Sequence, residues 1–238
     1  MKKSYKAVFF DAGGTLFSPH PSVGEIYARV AKKHGILAES QKIETIFRSE
    51  FSKRDKMNSA GAHATEKNEK DWWRRLVWDV FQNAVGAHND PPLHLFFAPF
   101  FEELYDLFAT AEAWKLYPET LGVLRFLKNK GLCLGIVSNW DSRLFSICKT
   151  MNINQYFDFI LASAVVGFAK PDPKIFEKAI DLSHVKLEEA IHIGDSVEND
   201  IFGARNAGID VVLVDRSGRM VEGIPSVNSL EGIISRIG

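Results

Sequence analysis

The chain has 238 residues, of which 46% are hydrophobic, and its 29 basic and 30 acidic residues give a formal net charge of −1. This length fits a core domain with an insertion better than a single compact domain. The charge balance creates no overall field that would attract nucleic acid or an anionic membrane, so neither partner is expected. Two cysteines make no disulfide framework, and no signal sequence or membrane span is evident, which together favour a cytoplasmic protein.

A short apolar run opens the chain. Residues 5–10 (YKAVFF) alternate little, which predicts a strand buried on both faces. Asp11 follows this strand directly, and Gly13 and Gly14 then form a turn. Because open α/β sheets bind ligands at the carboxyl ends of their strands, Asp11 is a candidate site residue.

Helical periodicity then continues from residue 17 to about residue 114. It predicts four helices, over about 22–34, 40–55, 68–85 and 92–108. Ser22 is the expected N-cap of the first helix, and Gly35 is its expected end. We interpret residues 17–114 as a helical domain inserted into a core domain made of residues 1–16 and 115–238.

Strands and helices alternate again from Pro118 onward. Strands are predicted at about 132–137, 159–162, 190–193 and 211–214. Helices are predicted at about 119–130, 142–151, 174–182, 196–207 and 227–237. Such alternation indicates a parallel sheet with right-handed crossovers, so the expected fold class is α/β with a doubly wound parallel sheet.

Polar residues follow two of these strands, and a lysine lies in a turn between them. Ser138 and Asn139 end the second core strand, Lys170 lies in the turn AKPDP, and Gly194-Asp195 ends the strand AIHI, with Asn199 and Asp200 close behind. With Asp11, this order resembles the signature of the haloacid dehalogenase (HAD) superfamily: an Asp nucleophile, a Ser or Thr, a Lys and an acidic pair. The resemblance covers residues 5–215, is nearest to uncharacterised members with a DAGGT first motif, and implies a Rossmann-like core with a helical cap.

The resemblance also implies roles for individual residues. Asp11 would attack phosphorus and form an aspartyl-phosphate, with Lys170 held against both the nucleophile and the phosphate. Thr15, Ser138 and Asn139 would orient phosphate oxygens. Mg²⁺ would be the cofactor and a small phosphorylated metabolite the substrate, and the expected metal ligands are Asp11, the Gly13 carbonyl, Asp195 and Asp200. For Asp200 a second role stays open, which is to hold Lys170 by charge pairing.

Gly13 departs from the family pattern. HAD phosphatases carry a second Asp there, which protonates the leaving group and then activates water, and such acid–base help is worth roughly a hundred- to ten-thousandfold in rate. Helical-domain residues that could replace it are His20, Glu25, Arg29 and Lys53. Three alternatives therefore stay open: a non-catalytic fold that binds a phospholigand or a protein, a phosphonate hydrolase that uses a lysine Schiff base, and a dehalogenase. The sequence predicts no oligomeric state.

Overall fold

The computed structural model describes residues 4–58, 64–85, 93–218 and 221–237. The chain divides into two compact units. The α/β unit comprises Met1–Ser18, Gly61–Thr65 and Leu116–Gly238, and the helical unit comprises Pro19–Ala60 and Glu66–Lys115. Within the described ranges, no helix combines the length and the apolar character that crossing a membrane requires.

A parallel sheet forms the centre of the α/β unit. Its six strands follow the order β5-β4-β1-β6-β7-β8, and neighbouring strands are parallel throughout. A separate pair of short strands, β2 and β3, forms a two-stranded sheet. The predicted α/β class with a parallel sheet is therefore confirmed. In chain order the strands are β1 (Ala7–Phe10), β2 (Phe17–Pro19), β3 (Trp114–Leu116), β4 (Cys133–Ser138), β5 (Phe159–Ala162), β6 (Ala190–Gly194), β7 (Asp210–Val214) and β8 (Ser226–Val227).

Helices belong to both units. The first four α-helices lie in the helical unit, and the later ones connect or follow the strands of the α/β unit. The α-helices of the described residues are α1 (Val23–Lys33), α2 (Ser40–Asn58), α3 (Glu66–Val85), α4 (Leu93–Leu107), α5 (Thr120–Asn129), α6 (Arg143–Thr150), α7 (Ser163–Val166), α8 (Pro173–Ser183), α9 (Gly203–Asn206) and α10 (Ile234–Ile237).

The strand order places the candidate site. The chain passes from β1 to β4 and β5 on one side and then returns to β6 and β7 on the other, so the order reverses beside β1. Phe10 pairs with Ile136 on one side and with Ile193 on the other. Residues that follow β1, β4 and β6 therefore gather at one edge of the sheet, which is where doubly wound folds bind ligands.

The hydrophobic core of the helical unit contains several aromatic rings that pack on one another. Helix α1 begins at Ser22, whose side chain accepts a hydrogen bond from the Glu25 backbone N–H, so the predicted N-cap is confirmed. The buried face of α1 includes Tyr27, whose ring stacks on Phe81 with centroids 6.0 Å apart. Phe81 in turn packs edge-on against Phe100 at 4.7 Å. Burial of these rings stabilises the unit mainly through the hydrophobic effect.

Two predicted helices of the α/β unit are wrong in type. The segment expected as one α-helix over 196–207 is a π-helix, Val197–Phe202, followed by the short α9. There the Asp200 carboxylate bonds back to the Ser196 N–H, an interaction that the 3.6-residue pattern does not encode. The expected closing helix over 227–237 instead begins as strand β8, because Val227 pairs with Val214, and continues as a 3₁₀ turn and α10.

Candidate active site

Asp11 is the residue around which the candidate site is built. It follows β1, its backbone N–H donates to Ile193 O at 2.9 Å, and only 8% of the residue is exposed. Its Oδ1 accepts hydrogen bonds from Ser138 Oγ at 2.8 Å and from Lys170 Nζ at 2.6 Å. Among the described residues no donor bonds to Oδ2, so one carboxylate oxygen is fixed and the other is left for a ligand.

Lys170 is the cation of the site and is almost fully buried. Its Nζ lies 2.6 Å from Asp11 Oδ1 and 2.6 Å from Asp200 Oδ1. Burial alone would lower the pKa of Lys170, but the two carboxylates outweigh burial and raise it. The ammonium therefore stays charged and partly compensates the negative charge around Asp11.

Asn139 fixes the backbone of Lys170. Its side-chain Oδ1 accepts from the Lys170 N–H at 2.7 Å, and its Nδ2 donates to Lys170 O at 2.8 Å. Both polar atoms of the amide therefore hold the turn that carries Lys170, and the phosphate-orienting role of the Asn139 side chain stays a prediction. These two hydrogen bonds fix the backbone of Lys170, so its amine has a fixed position although the residue lies in a turn.

Asp200 contacts Lys170, and both of its carboxylate oxygens accept hydrogen bonds. Oδ1 accepts from Lys170 Nζ and from His192 Nε2 at 2.8 Å, and Oδ2 accepts from the Ser196 N–H at 2.9 Å. Burial would raise the pKa of Asp200, but Lys170 and the His192 bond outweigh it and lower the pKa well below the usual range. Gly194 makes room for this carboxylate, because a Cβ there would overlap it.

Asp195 follows β6 and is exposed. Thr15 is fully buried, and its hydroxyl donates a hydrogen bond to Asp195 Oδ1 at 3.2 Å. The contact of Thr15 with phosphate stays a prediction. Gly14 adopts φ +82, and a Cβ at that position would overlap the Asp195 carboxylate. Glycine is required there for both reasons.

Three carboxylates are close enough to share a cation. Asp11, Asp195 and Asp200 each offer an oxygen, and these oxygens lie within 4.8 Å of one another. The pKa of Asp195 is raised by desolvation and by the negative charges of Asp11 and Asp200. Because the Asp195 residue is exposed, we attribute the rise mainly to the two charges. Burial, opposed by Lys170, raises the pKa of Asp11. Crowded carboxylates of this kind fit a hard divalent cation with oxygen ligands, such as Mg²⁺.

Gly13 has an aromatic neighbour that the sequence did not indicate. A Cβ added at Gly13 would lie 3.2 Å from a ring carbon of Trp140, and the Trp140 ring also packs on Phe17 with centroids 5.7 Å apart. Gly13 is not in the left-handed region, so its backbone does not demand glycine. The limit on a larger residue at Gly13 is therefore the indole ring.

The helical-unit residues considered as replacement acids are all exposed. Arg29 pairs with Glu112, and Lys53 pairs with Glu50 at 2.8 Å with 65% of its side chain exposed. A Schiff-base lysine needs a desolvated site, and Lys53 is exposed to solvent.

Sequence reasoning missed two residues that support the site. His192 was hidden inside the apolar run AIHI, where a single polar residue gives no signal of its own. Arg216 follows β7 and donates to the carbonyls of Gly14 at 3.2 Å and Thr15 at 2.9 Å, which fixes the turn after Asp11. Its position just past a strand end was the available signal.

The fold and these residues define a hydrolase family. Residues 5–208 match the haloacid dehalogenase-like hydrolase family, and the chain belongs to it. It is 32% identical over 207 residues to "Haloacid dehalogenase-like hydrolase domain-containing protein 3" of Bos taurus, covering 86% of this chain and 80% of that protein.

Solved structures share the fold. A HAD phosphatase from Thermococcus onnurineus superposes with a TM-score of 0.67 at 24% identity, covering 98% of both chains. The putative HAD-hydrolase YfnB from Bacillus subtilis, in a structure described as bound to magnesium, gives a TM-score of 0.71 at 20% identity and covers 99% of this chain and 100% of that one.

Proposed function

We propose that this hydrolase is a Mg²⁺-dependent phosphatase that acts on a small phosphorylated metabolite through an aspartyl-phosphate at Asp11. The observation that carries the proposal is the hydrogen bonding of Asp11. Ser138 and Lys170 both bond to Oδ1, while Oδ2 has no donor among the described residues. A carboxylate held by one oxygen presents the other as a nucleophile.

The chemistry follows from these contacts. Oδ2 of Asp11 attacks phosphorus, the bond from phosphorus to the leaving oxygen breaks, and the leaving group departs with the electron pair. Water then attacks phosphorus, the bond between Oδ2 and phosphorus breaks, and inorganic phosphate leaves with the Asp11 carboxylate restored. Lys170 carries positive charge beside Asp11 throughout, which favours the approach of an anionic phosphate.

Asp11, the Gly13 carbonyl and Asp195 are the ligands we propose for Mg²⁺. When bound, the cation would offset charge on the phosphate oxygens and reduce repulsion between phosphate and carboxylate. Of the two roles open for Asp200, we favour holding Lys170, because both of its oxygens already accept hydrogen bonds from the protein.

Gly13 narrows the proposed substrate class. Without a carboxylic acid at this position, departure of an alkoxide lacks the proton donor that HAD phosphatases carry there, whereas acyl and aryl phosphates have leaving groups that need none. We therefore propose acyl or aryl phosphates as the better substrates. We also propose that the helical unit selects among them, as a cap does in this family.

A phosphate-release panel tests the function. We expect turnover of acetyl phosphate and p-nitrophenyl phosphate with Mg²⁺, little without it, and much slower turnover of glycerol phosphate. Rapid quench and intact mass should detect a phosphoryl adduct that is absent in Asp11→Asn. Titration calorimetry should show weaker Mg²⁺ binding in Asp195→Asn than in the wild type. A chain with no adduct and no turnover on any of these compounds would instead be a non-catalytic, phospholigand-binding member of the family.

A further inference from the structure

His192 is a buried histidine outside the set of residues assigned above to phosphate or metal. It lies within β6, opposite Phe9 of β1, and is fully buried. Its Nε2 lies 2.8 Å from Asp200 Oδ1, and its ring packs edge-on against Phe176 with centroids 5.0 Å apart. Within the described part of the chain, its Nδ1 has no hydrogen-bond partner.

These contacts select one form of the ring. A bond to a carboxylate requires a proton on Nε2, because a carboxylate oxygen only accepts. A second proton on Nδ1 would be a buried donor without an acceptor, which is more costly than an unused lone pair. His192 is therefore the neutral ring with its proton on Nε2.

The contact also determines the direction of the Asp200 carboxylate. The Ser196 N–H holds Oδ2, and His192 Nε2 holds one side of Oδ1. The remaining acceptor direction of Oδ1 is used by Lys170 Nζ. With both oxygens held, the carboxylate cannot rotate away from the lysine without losing a buried hydrogen bond.

We propose that His192 is a positioning residue, whose Nε2–H holds Asp200 so that Lys170 stays against Asp11. The inference rests on the proposed function, because the lysine is positioned for phosphoryl transfer. A purely structural histidine at this place would be a poor choice, since a leucine would fill the core without leaving Nδ1 unpartnered. What the histidine adds is a donor aimed at Asp200.

Three variants of His192 separate the effect of its hydrogen-bond donor from the effect of its side-chain volume. The amide nitrogen of Gln reaches the place of Nε2, the shorter Asn places its nitrogen nearer Nδ1, and Leu supplies volume alone. With acetyl phosphate and Mg²⁺, His192→Leu and His192→Asn should lower kcat about ten- to a hundredfold with little change in KM, and His192→Gln should recover most of the loss. Equal kcat in the three variants would overturn the proposal. If His192→Leu fails to fold, the comparison of Gln with Asn decides.

A neighbouring core residue provides the control. Ile191 is buried on the same strand, so Ile191→Val removes a methyl group without touching the bond to Asp200. It should lower the thermal midpoint and leave kcat unchanged. A fall of kcat in Ile191→Val equal to that in His192→Asn would assign the whole effect to strand packing and overturn the positioning role.

Imidazole NMR tests the contact without relying on turnover. Long-range ¹H–¹⁵N correlation of the wild type at neutral pH should show His192 protonated on Nε2 only, and the Nε2 signal should shift in Asp200→Asn. Protonation on Nδ1, or a signal unchanged in Asp200→Asn, would overturn the inference. If no compound of the phosphate panel is turned over, the proposed function fails while this measurement still decides whether His192 holds Asp200.

Discussion

The α/β unit and the helical unit differ in the kinds of side chain that they bury. Among the described residues, every buried polar or charged side chain lies in the α/β unit, and the buried core of the helical unit is hydrophobic. The ion pairs of the helical unit are exposed, as in Lys33 with Glu103, or partly buried, as in Arg54 with Glu50. Burying a charge is costly unless partners compensate it. In the α/β unit, buried Lys170 is compensated by Asp11 and Asp200 at the candidate site.

Substitutions in the two interiors should therefore destabilise the protein for different physical reasons. In the α/β unit the loss of one partner leaves another group uncompensated, whereas in the helical unit the loss of a side chain leaves only empty volume. Stability of the first kind should depend on pH, and stability of the second kind should not.

The largest effect is expected from Lys170→Met. It leaves Asp11 and Asp200 buried without their cation, so unfolding in urea should be easier by about 3–5 kcal/mol, and turnover should be lost. Without the lysine, the folded-state pKa of both carboxylates should rise, from an already raised value for Asp11 and from a lowered value for Asp200. The folded protein then takes up protons as pH falls, so the loss should shrink from pH 8 to pH 5. Lys178→Met, at an exposed site on α8, should change stability by less than about 0.5 kcal/mol. A Lys170→Met variant as stable as Lys178→Met would contradict the comparison.

Phe100→Ala tests the hydrophobic core of the helical unit. The ring is fully buried and packs against Phe81, so its removal should cost about 3–5 kcal/mol in the same urea series. Phe100→Leu keeps most of the volume and should cost clearly less, about 1–2 kcal/mol. Because the His34 ring also packs against Phe100, the pH comparison uses Phe81→Ala, whose ring packs against Tyr27 and Phe100. Its loss should not vary between pH 5 and pH 8, and a loss that followed pH as in Lys170→Met would remove the distinction between the units.

Two glycines allow the effect of strain to be separated from the effect of contact. Gly14 and Gly35 both have positive φ, but a Cβ at Gly14 would overlap the Asp195 carboxylate while a Cβ at Gly35 meets nothing within 4 Å. Gly35→Ala should cost about 1 kcal/mol from backbone strain alone. Gly14→Ala should cost about 2–3 kcal/mol and weaken Mg²⁺ binding in calorimetry, because Asp195 must move. Equal losses in both variants would show that the carboxylate yields freely.

Gly13→Asp should lower stability by less than about 1.5 kcal/mol, because the atoms within 4 Å of the new Cβ belong to the Trp140 ring, which must shift. A carboxylate there supplies the missing acid, and turnover of glycerol phosphate should rise about ten- to a thousandfold. Adding Trp140→Ala should increase the gain by making room for the carboxylate. Gly13→Ala, which brings the Cβ without the acid, should give no gain. A Gly13→Asp variant no better than Gly13→Ala would show that acid catalysis is not what limits alkyl phosphates.

The sequence predicted the parallel α/β sheet because buried parallel strands are apolar runs separated by helical periodicity, and β1, β4 and β6 carry that pattern without ambiguity. It also predicted the α1 cap, since Ser22 and Gly35 are local signals. The π-helix after β6 was missed because its geometry depends on where the Asp200 carboxylate binds.

By itself, the sequence determined which strand ends carry polar side chains, and therefore that Asp11, Ser138 and Asp195 reach one edge of the sheet. Tertiary structure alone decided which of them touch. Thr15 bonds to Asp195, Asn139 holds the Lys170 backbone, and His192 meets Asp200. The physical reason is that strand periodicity and turn chemistry act over a few residues, whereas these hydrogen bonds join separate segments whose distances are fixed only by sheet register and packing.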